Sequence, residues 1–154
     1  MASTINASTS PTTGIITTAD SSGALALQSN GTTALTINSD ASTTLASYQT
    51  IKSLIETATI TASAPSSTTN FDVITQAVQY YTSNTANNWT LNIRGNSSTS
   101  LNTLMSTGQV ITITMIVTNS STAYYQSALQ IDGSSVTPKW QGGTAPSSGN
   151  ASAL

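Results

Sequence analysis

The chain has 154 residues, of which only eight are charged, three Lys or Arg against five Asp or Glu, and it contains neither histidine nor cysteine. Without an imidazole, a thiolate or a nitrogen or sulfur metal ligand, most nucleophilic and metal-assisted catalysis is excluded, and disulfide stapling with it. Lys52, Arg94 and Lys139 stand singly, so the clustered cations that neutralise nucleic-acid phosphates are missing.

Hydrophobic residues make up 37% and the net charge is −2, a balance of a folding chain rather than a disordered one. Ser, Thr and Asn fill roughly two-fifths of the positions, with Leu, Ile, Val and aromatics in short separated runs, which points to a β-rich domain. The start, Met1-Ala2-Ser3-Thr4-Ile5-Asn6, has neither the basic nor the apolar region of a signal peptide, and no run approaches the ~18 apolar residues of a membrane span. The expectation is a chain made in a cytoplasm, with neither membrane nor nucleic acid as partner and no cofactor. Six Asn-x-Ser/Thr triplets, from Asn6 to Asn150, follow from the abundance of Ser and Thr and are not read as glycosylation sites.

Residues 1–46 hold no aromatic and no Lys or Arg, and their apolar residues come in brief groups: Ile15-Ile16, Leu25 and Leu27, Leu35 and Ile37. Such a segment reads as an extended arm, too poor in apolar residues to close a core. A three-residue loop centred on Gly31 sets Leu27 opposite Leu35 and Leu25 opposite Ile37, so that one hairpin face becomes apolar. That hairpin serves either as a surface hairpin at the domain edge or as an arm docking on a neighbouring subunit.

Residues 47–154 read as the globular body. Tyr48-Gln49-Thr50-Ile51-Lys52-Ser53-Leu54-Ile55 fits a helix face and a strand, and the β-branched content tips it to strand. Residues 56–62 alternate Thr with Ala and Ile and stop before Pro65. Residues 71–81 and 89–94 are two further β-rich runs expected to pair, the second ending at Gly95-Asn96. Ser100-Leu101-Asn102-Thr103-Leu104-Met105 predicts one helical turn, with Gly108 as its stop. Residues 109–119 give the strongest strand, with Ile111, Ile113, Met115 and Val117 on one face, and it is expected to be central. Tyr124 to Ile131 follows, and Asp132-Gly133 is a two-residue hairpin signal leading to Val136. Six or more short strands argue for an antiparallel β-sandwich, jelly-roll-like, carrying the extended arm. Beyond the loop at Gly142-Gly143 an apolar residue returns only at Leu154; a flexible tail and the beginning of a further strand are the two readings.

Acid–base catalysis would rest on Asp20, Asp40, Glu56, Asp72 and Asp132, which are spread singly. Lone acids are ordinarily solvated or turn residues, and the expectation is a protein that is not an enzyme. The aromatics are better candidates for contact. Trp89 alternates with Leu91 and Ile93 and belongs to the core; Tyr80-Tyr81 and Tyr124-Tyr125 put one ring on each face of their strands; Trp140, in a loop, is either a plug for the sandwich end or a contact residue. The expected protein interface therefore comprises Leu25, Leu27, Leu35, Ile37, Tyr124, Tyr125 and Trp140.

The stretch Thr17-Thr18-Ala19-Asp20-Ser21-Ser22-Gly23-Ala24-Leu25-Ala26-Leu27-Gln28-Ser29-Asn30-Gly31-Thr32-Thr33-Ala34-Leu35-Thr36-Ile37 resembles an N-terminal segment of virion structural proteins of marine cyanobacterial phages. Pro138-Lys139-Trp140-Gln141-Gly142-Gly143-Thr144-Ala145-Pro146-Ser147-Ser148-Gly149-Asn150 is similar to a motif of the same group. The resemblance implies a place on the virion and supplies no catalytic residue. The ten-residue near-repeat occurs only twice and no heptads follow, so a shaft is missing and a capsid decoration protein, or knob, is favoured over a tail fibre. The implied partner is the major capsid protein, with self-association on the particle. Two alternatives remain: a short tail-fibre or adhesin module binding a host glycan, and an unrelated or carbohydrate-active β-module.

Overall fold

The computed structural model describes residues 22–152. Ile15-Ile16, Asp20, the first residues of the phage-like stretch and Leu154 lie outside them. The chain divides into two compact units, Met1–Ser53 and Leu54–Leu154.

In the first unit three strands, β1 (Leu25–Ser29), β2 (Thr32–Ile37) and β3 (Thr43–Leu45), form one antiparallel sheet in the order β1-β2-β3. Leu25 stands opposite Ile37 and Leu27 opposite Leu35, as the sequence pattern predicts. The turn is Asn30-Gly31 alone, with φ of 51° and 74°, and the extra residue sits as a bulge where the register shifts after Leu27. Two successive positive φ values are the mark of a two-residue type I′ turn, which matches strand twist. The third strand was not legible: it returns through a five-residue bend in which Asp40 accepts from the Ser42 amide at 2.9 Å and its hydroxyl at 2.6 Å.

The second unit is built differently from the expected antiparallel sandwich. β4 (Ala58–Thr61), β6 (Val78–Tyr81) and β8 (Thr114–Val117) form one sheet, and every pairing in it is parallel. β5 (Thr68–Asp72), β7 (Trp89–Arg94) and β9 (Gln126–Ile131) form the other, also parallel, with β10 (Ser134–Val136) added antiparallel to β9. Successive strands thus alternate between the sheets, and the chain winds through three coils: β4-β5, β6-β7 and β8-β9. Each strand of one sheet is the crossover that a parallel pair in the other requires.

Alternation of apolar residues selects the inward face but says nothing about which strand lies alongside. Antiparallel neighbours need tight turns. Asn30-Gly31 and Asp132-Gly133 supply such turns, the latter with φ of 50° and 80°, and both join antiparallel strands. From β4 to β9 every connection instead leads to the other sheet of the second unit. Between β7 and β8 a single-turn helix α1 (Leu101–Leu104) is inserted, capped by Ser100, whose hydroxyl accepts from the Thr103 amide at 3.0 Å.

Two other expectations are corrected. Residues 48–55 form no strand; Tyr48 and Ile55 are almost fully exposed. The predicted 109–119 strand shrinks to Thr114–Val117 and lies at the edge of its sheet, with Val110 exposed and Ile113 outside it. The two C-terminal readings turn on Leu154, outside the described residues; before it, the Gly149 amide donates to the Ala123 carbonyl at 3.0 Å and Asn119 Nδ2 to the Asn150 carbonyl at 3.2 Å.

The buried apolar side chains among the described residues are Phe71, Tyr81, Trp89, Leu91 and Leu101, all in the second unit. Register stacks them: Thr69 beside Leu91 beside Leu129, and Phe71 beside Ile93 beside Ile131.

Candidate functional site: contact faces and cavities

In the first unit the pleat places Leu25, Leu27, Leu35 and Ile37 on one face, and pairing of Leu35 with Leu45 adds a fifth apolar side chain. Leu25, Leu27 and Leu45 are each about half exposed (52%, 46% and 47%), and none of the five is buried. The face carries no charge. The third strand takes the sheet past the two-stranded hairpin that is marginal in water, and its apolar side stays largely exposed. Leu45 was missed in the sequence because nothing marked β3.

Tyr124, Tyr125 and Trp140 are all half-buried. Tyr124 and Tyr125 precede β9 instead of lying in a strand, so they do not divide between two strand faces; both line one cavity of about 300 Å³. Its walls come from both sheets, Trp89 and Leu91 on one side and Met115 and Val117 on the other. Trp89 is core, as its alternation predicts, and its Nε1–H is buried without a partner. Trp140 precedes a 3₁₀ turn, Gln141–Gly143, and does not line this cavity. Tyr80-Tyr81 does divide as predicted: Tyr81 is buried and Tyr80, one residue earlier on β6, faces outward.

A second cavity, about 370 Å³ and polar, is lined by Asn92, Arg94, Asn96, Asp132, Gly133 and residues 97–100. Its groups hold each other. Asp132 accepts from the Leu101 and Asn102 amides at 2.7 and 3.1 Å, and Asn92 Oδ1 accepts from the Gly133 amide at 2.9 Å. Arg94 Nε donates to Asp72 Oδ1 at 2.6 Å, which raises the guanidinium above its ordinary pKa. Asn92 Nδ2 donates to Asn70 Oδ1 at 2.8 Å. Asp40, Asp72 and Asp132 therefore fasten a bend, a strand pair and a helix start. Among the described residues no three acids gather as metal ligands would, and no helix is long and apolar enough to cross a membrane.

Asn70 and Asn92, Phe71 and Ile93, and Asp72 and Arg94 are register pairs of the parallel strands β5 and β7, a pairing that alternation within each strand does not mark. No family model matches the chain, and neither the curated proteins nor the solved structures contain one that is significantly similar.

Proposed function

We propose that the chain is a non-enzymatic structural protein of a phage virion, a decoration protein that docks on the outer surface of the major capsid protein shell through its N-terminal sheet and displays the coiled body. The observation that carries this reading is the uncharged apolar face of Leu25, Leu27, Leu35, Ile37 and Leu45, in a unit whose described residues include none of the buried apolar side chains. The phage-like stretch ends on this sheet. Burying four to five such side chains is worth about 6–15 kcal/mol gross, less the cost of ordering the segment. An uncharged contact also holds in salt that screens ion pairs. Each copy that binds the assembled shell and not the free subunits stabilises the shell by mass action.

The test is reconstitution on empty capsids. The intact chain should bind, and a chain carrying Leu27→Asp and Leu35→Asp should fold its second unit and fail to bind. Equal binding by the double variant would reject the docking role. A second reading, a short tail-fibre or adhesin module, draws support from the parallel coils, a geometry by which shafts lengthen, and from the Tyr124–Tyr125 cavity, of a size for one sugar ring. Image reconstruction of the particle separates the two by position, capsid against tail.

A further inference from the structure

The two sheets of the coiled unit treat their outward faces oppositely. On β5, β7 and β9 the outward row holds the Asn70–Asn92 hydrogen bond and the Asp72–Arg94 ion pair. On β4, β6 and β8 the inward positions are fixed by Met115 and Val117, which face Trp89 and Leu91 across the cavity, and by their register partners Gln79 and Tyr81. The inward partners on β4 are then Thr59 and Thr61. Four of these six inward residues carry polar groups. Outward stand Ile60, Tyr80 and Ile116 in one register row and Ala58, Val78 and Thr114 in the next. This sheet is more apolar outside than in, and Ile60 is 69% exposed. A strand facing water ordinarily shows the reverse.

We infer that this outward face is a contact surface for a second copy of the same chain, packed face to face about a two-fold axis. The charge pattern selects the occupant. None of the six outward residues is charged, whereas an ordinary protein surface, about a quarter of it charged, would bury ions there without partners. In a two-fold contact the patch meets itself, so uncharged meets uncharged. Shape agrees: an axis running along the two rows lays the large row Ile60-Tyr80-Ile116 of each copy over the smaller row Ala58-Val78-Thr114 of the other. Area sets the strength. Three strands ~4.8 Å apart and four residues long present roughly 200 Å², well below the ~800 Å² per partner of a stable dimer. The contact is therefore weak in dilute solution and forms when copies are held side by side. The inference rests on the second unit alone and does not depend on the capsid assignment.

The chain has no cysteine, so one can be introduced alone. Thr114→Cys lies exposed at the rim of the face, and Thr68→Cys lies exposed on the outward side of the other sheet. Full-length variants, titrated up to the solubility limit, are treated with a short homobifunctional maleimide. The expected result is covalent dimer from Thr114→Cys, rising with concentration, little from Thr68→Cys, and a yield at least about tenfold lower when Ile60→Lys is added. Ile60 is exposed, so the circular dichroism melt of Ile60→Lys should match its parent. Undiminished dimer with Ile60→Lys would place the contact elsewhere and overturn the inference. So would a Thr114→Cys chain that stays monomeric throughout, which would give the face to a different occupant.

Discussion

Asp72 and Arg94 lie side by side on the parallel strands β5 and β7, joined by a hydrogen bond from Nε to Oδ1 at 2.6 Å and a second from the guanidinium to Oδ2 at 3.3 Å. The pair continues the register that also joins Asn70 to Asn92 and Phe71 to Ile93, so its opposite charges report which strands are neighbours. Each side chain is 26% exposed. At that depth the pair is partly screened, and its coupling is expected at about 1 kcal/mol. Asp72→Asn, Arg94→Gln and the double variant, compared by denaturant midpoint, should give that coupling; additive effects would mean that the geometry adds no stability.

Phe71, on β5, is fully buried. Phe71→Ala should cost about 3–5 kcal/mol, the range for an aromatic removed from a packed core. Ile113→Asp, by contrast, changes a half-buried residue outside any strand, and should cost clearly less than Phe71→Ala. Urea unfolding followed by Trp89 fluorescence would rank the two, and the reverse order would contradict the placement of β8.

Two glycines are required for different reasons. A Cβ on Gly95 would stand 2.5 Å from the Thr99 carbonyl oxygen, whereas one on Gly31 would meet nothing within 4 Å and suffer only from a φ of 74°. Gly31→Ala is therefore expected to cost about 1 kcal/mol, confined to the first unit. Gly95→Ala should cost more, about 1–3 kcal/mol, because backbone must shift. Amide exchange resolved by residue would show the first effect in β1 and β2 and the second around α1.

Burial, and secondarily the charge of Asp72, raises the pKa of Tyr81 above the ordinary tyrosine value. A raised folded pKa favours the protonated phenol in the folded state. Its contribution to stability is complete below the ordinary tyrosine pKa and is lost as the pH climbs through the folded value. In an alkaline ultraviolet titration of the folded protein a late phase is expected, and it should vanish in Tyr81→Phe. If Tyr81→Phe leaves the titration curve's late end unchanged, Tyr81 is not buried as described.

At the other end of the scale, hydrogen bonds from Ser42, first its hydroxyl and then its amide, lower the pKa of Asp40. That bend is held by the carboxylate above the ordinary aspartate pKa and loosens as the pH falls through the lower folded value. Carboxyl shifts followed by NMR should put its midpoint below the ordinary aspartate value. Ser42→Ala should bring it back toward the ordinary aspartate value.

The sequence by itself determined the β-rich composition, the pairing of Leu25 with Ile37 and Leu27 with Leu35, the helical turn after Ser100, the hairpin at Asp132-Gly133 and the burial of Trp89. All of these are local: a two-residue turn fixes the strands that flank it, and alternation fixes which side of a strand is buried. Tertiary structure alone decided that the middle strands run parallel in three coils, that β8 is an edge, and that Tyr80 faces out beside Ile60 and Ile116. Those facts depend on which strand lies alongside which, across 20 to 38 residues of chain. The insertion that carries α1 makes the second interval unequal to the first and hides the repeat. Period-two alternation is the same for parallel and antiparallel neighbours, so only the closed packing of Phe71, Trp89 and Leu91 between two sheets selects between them.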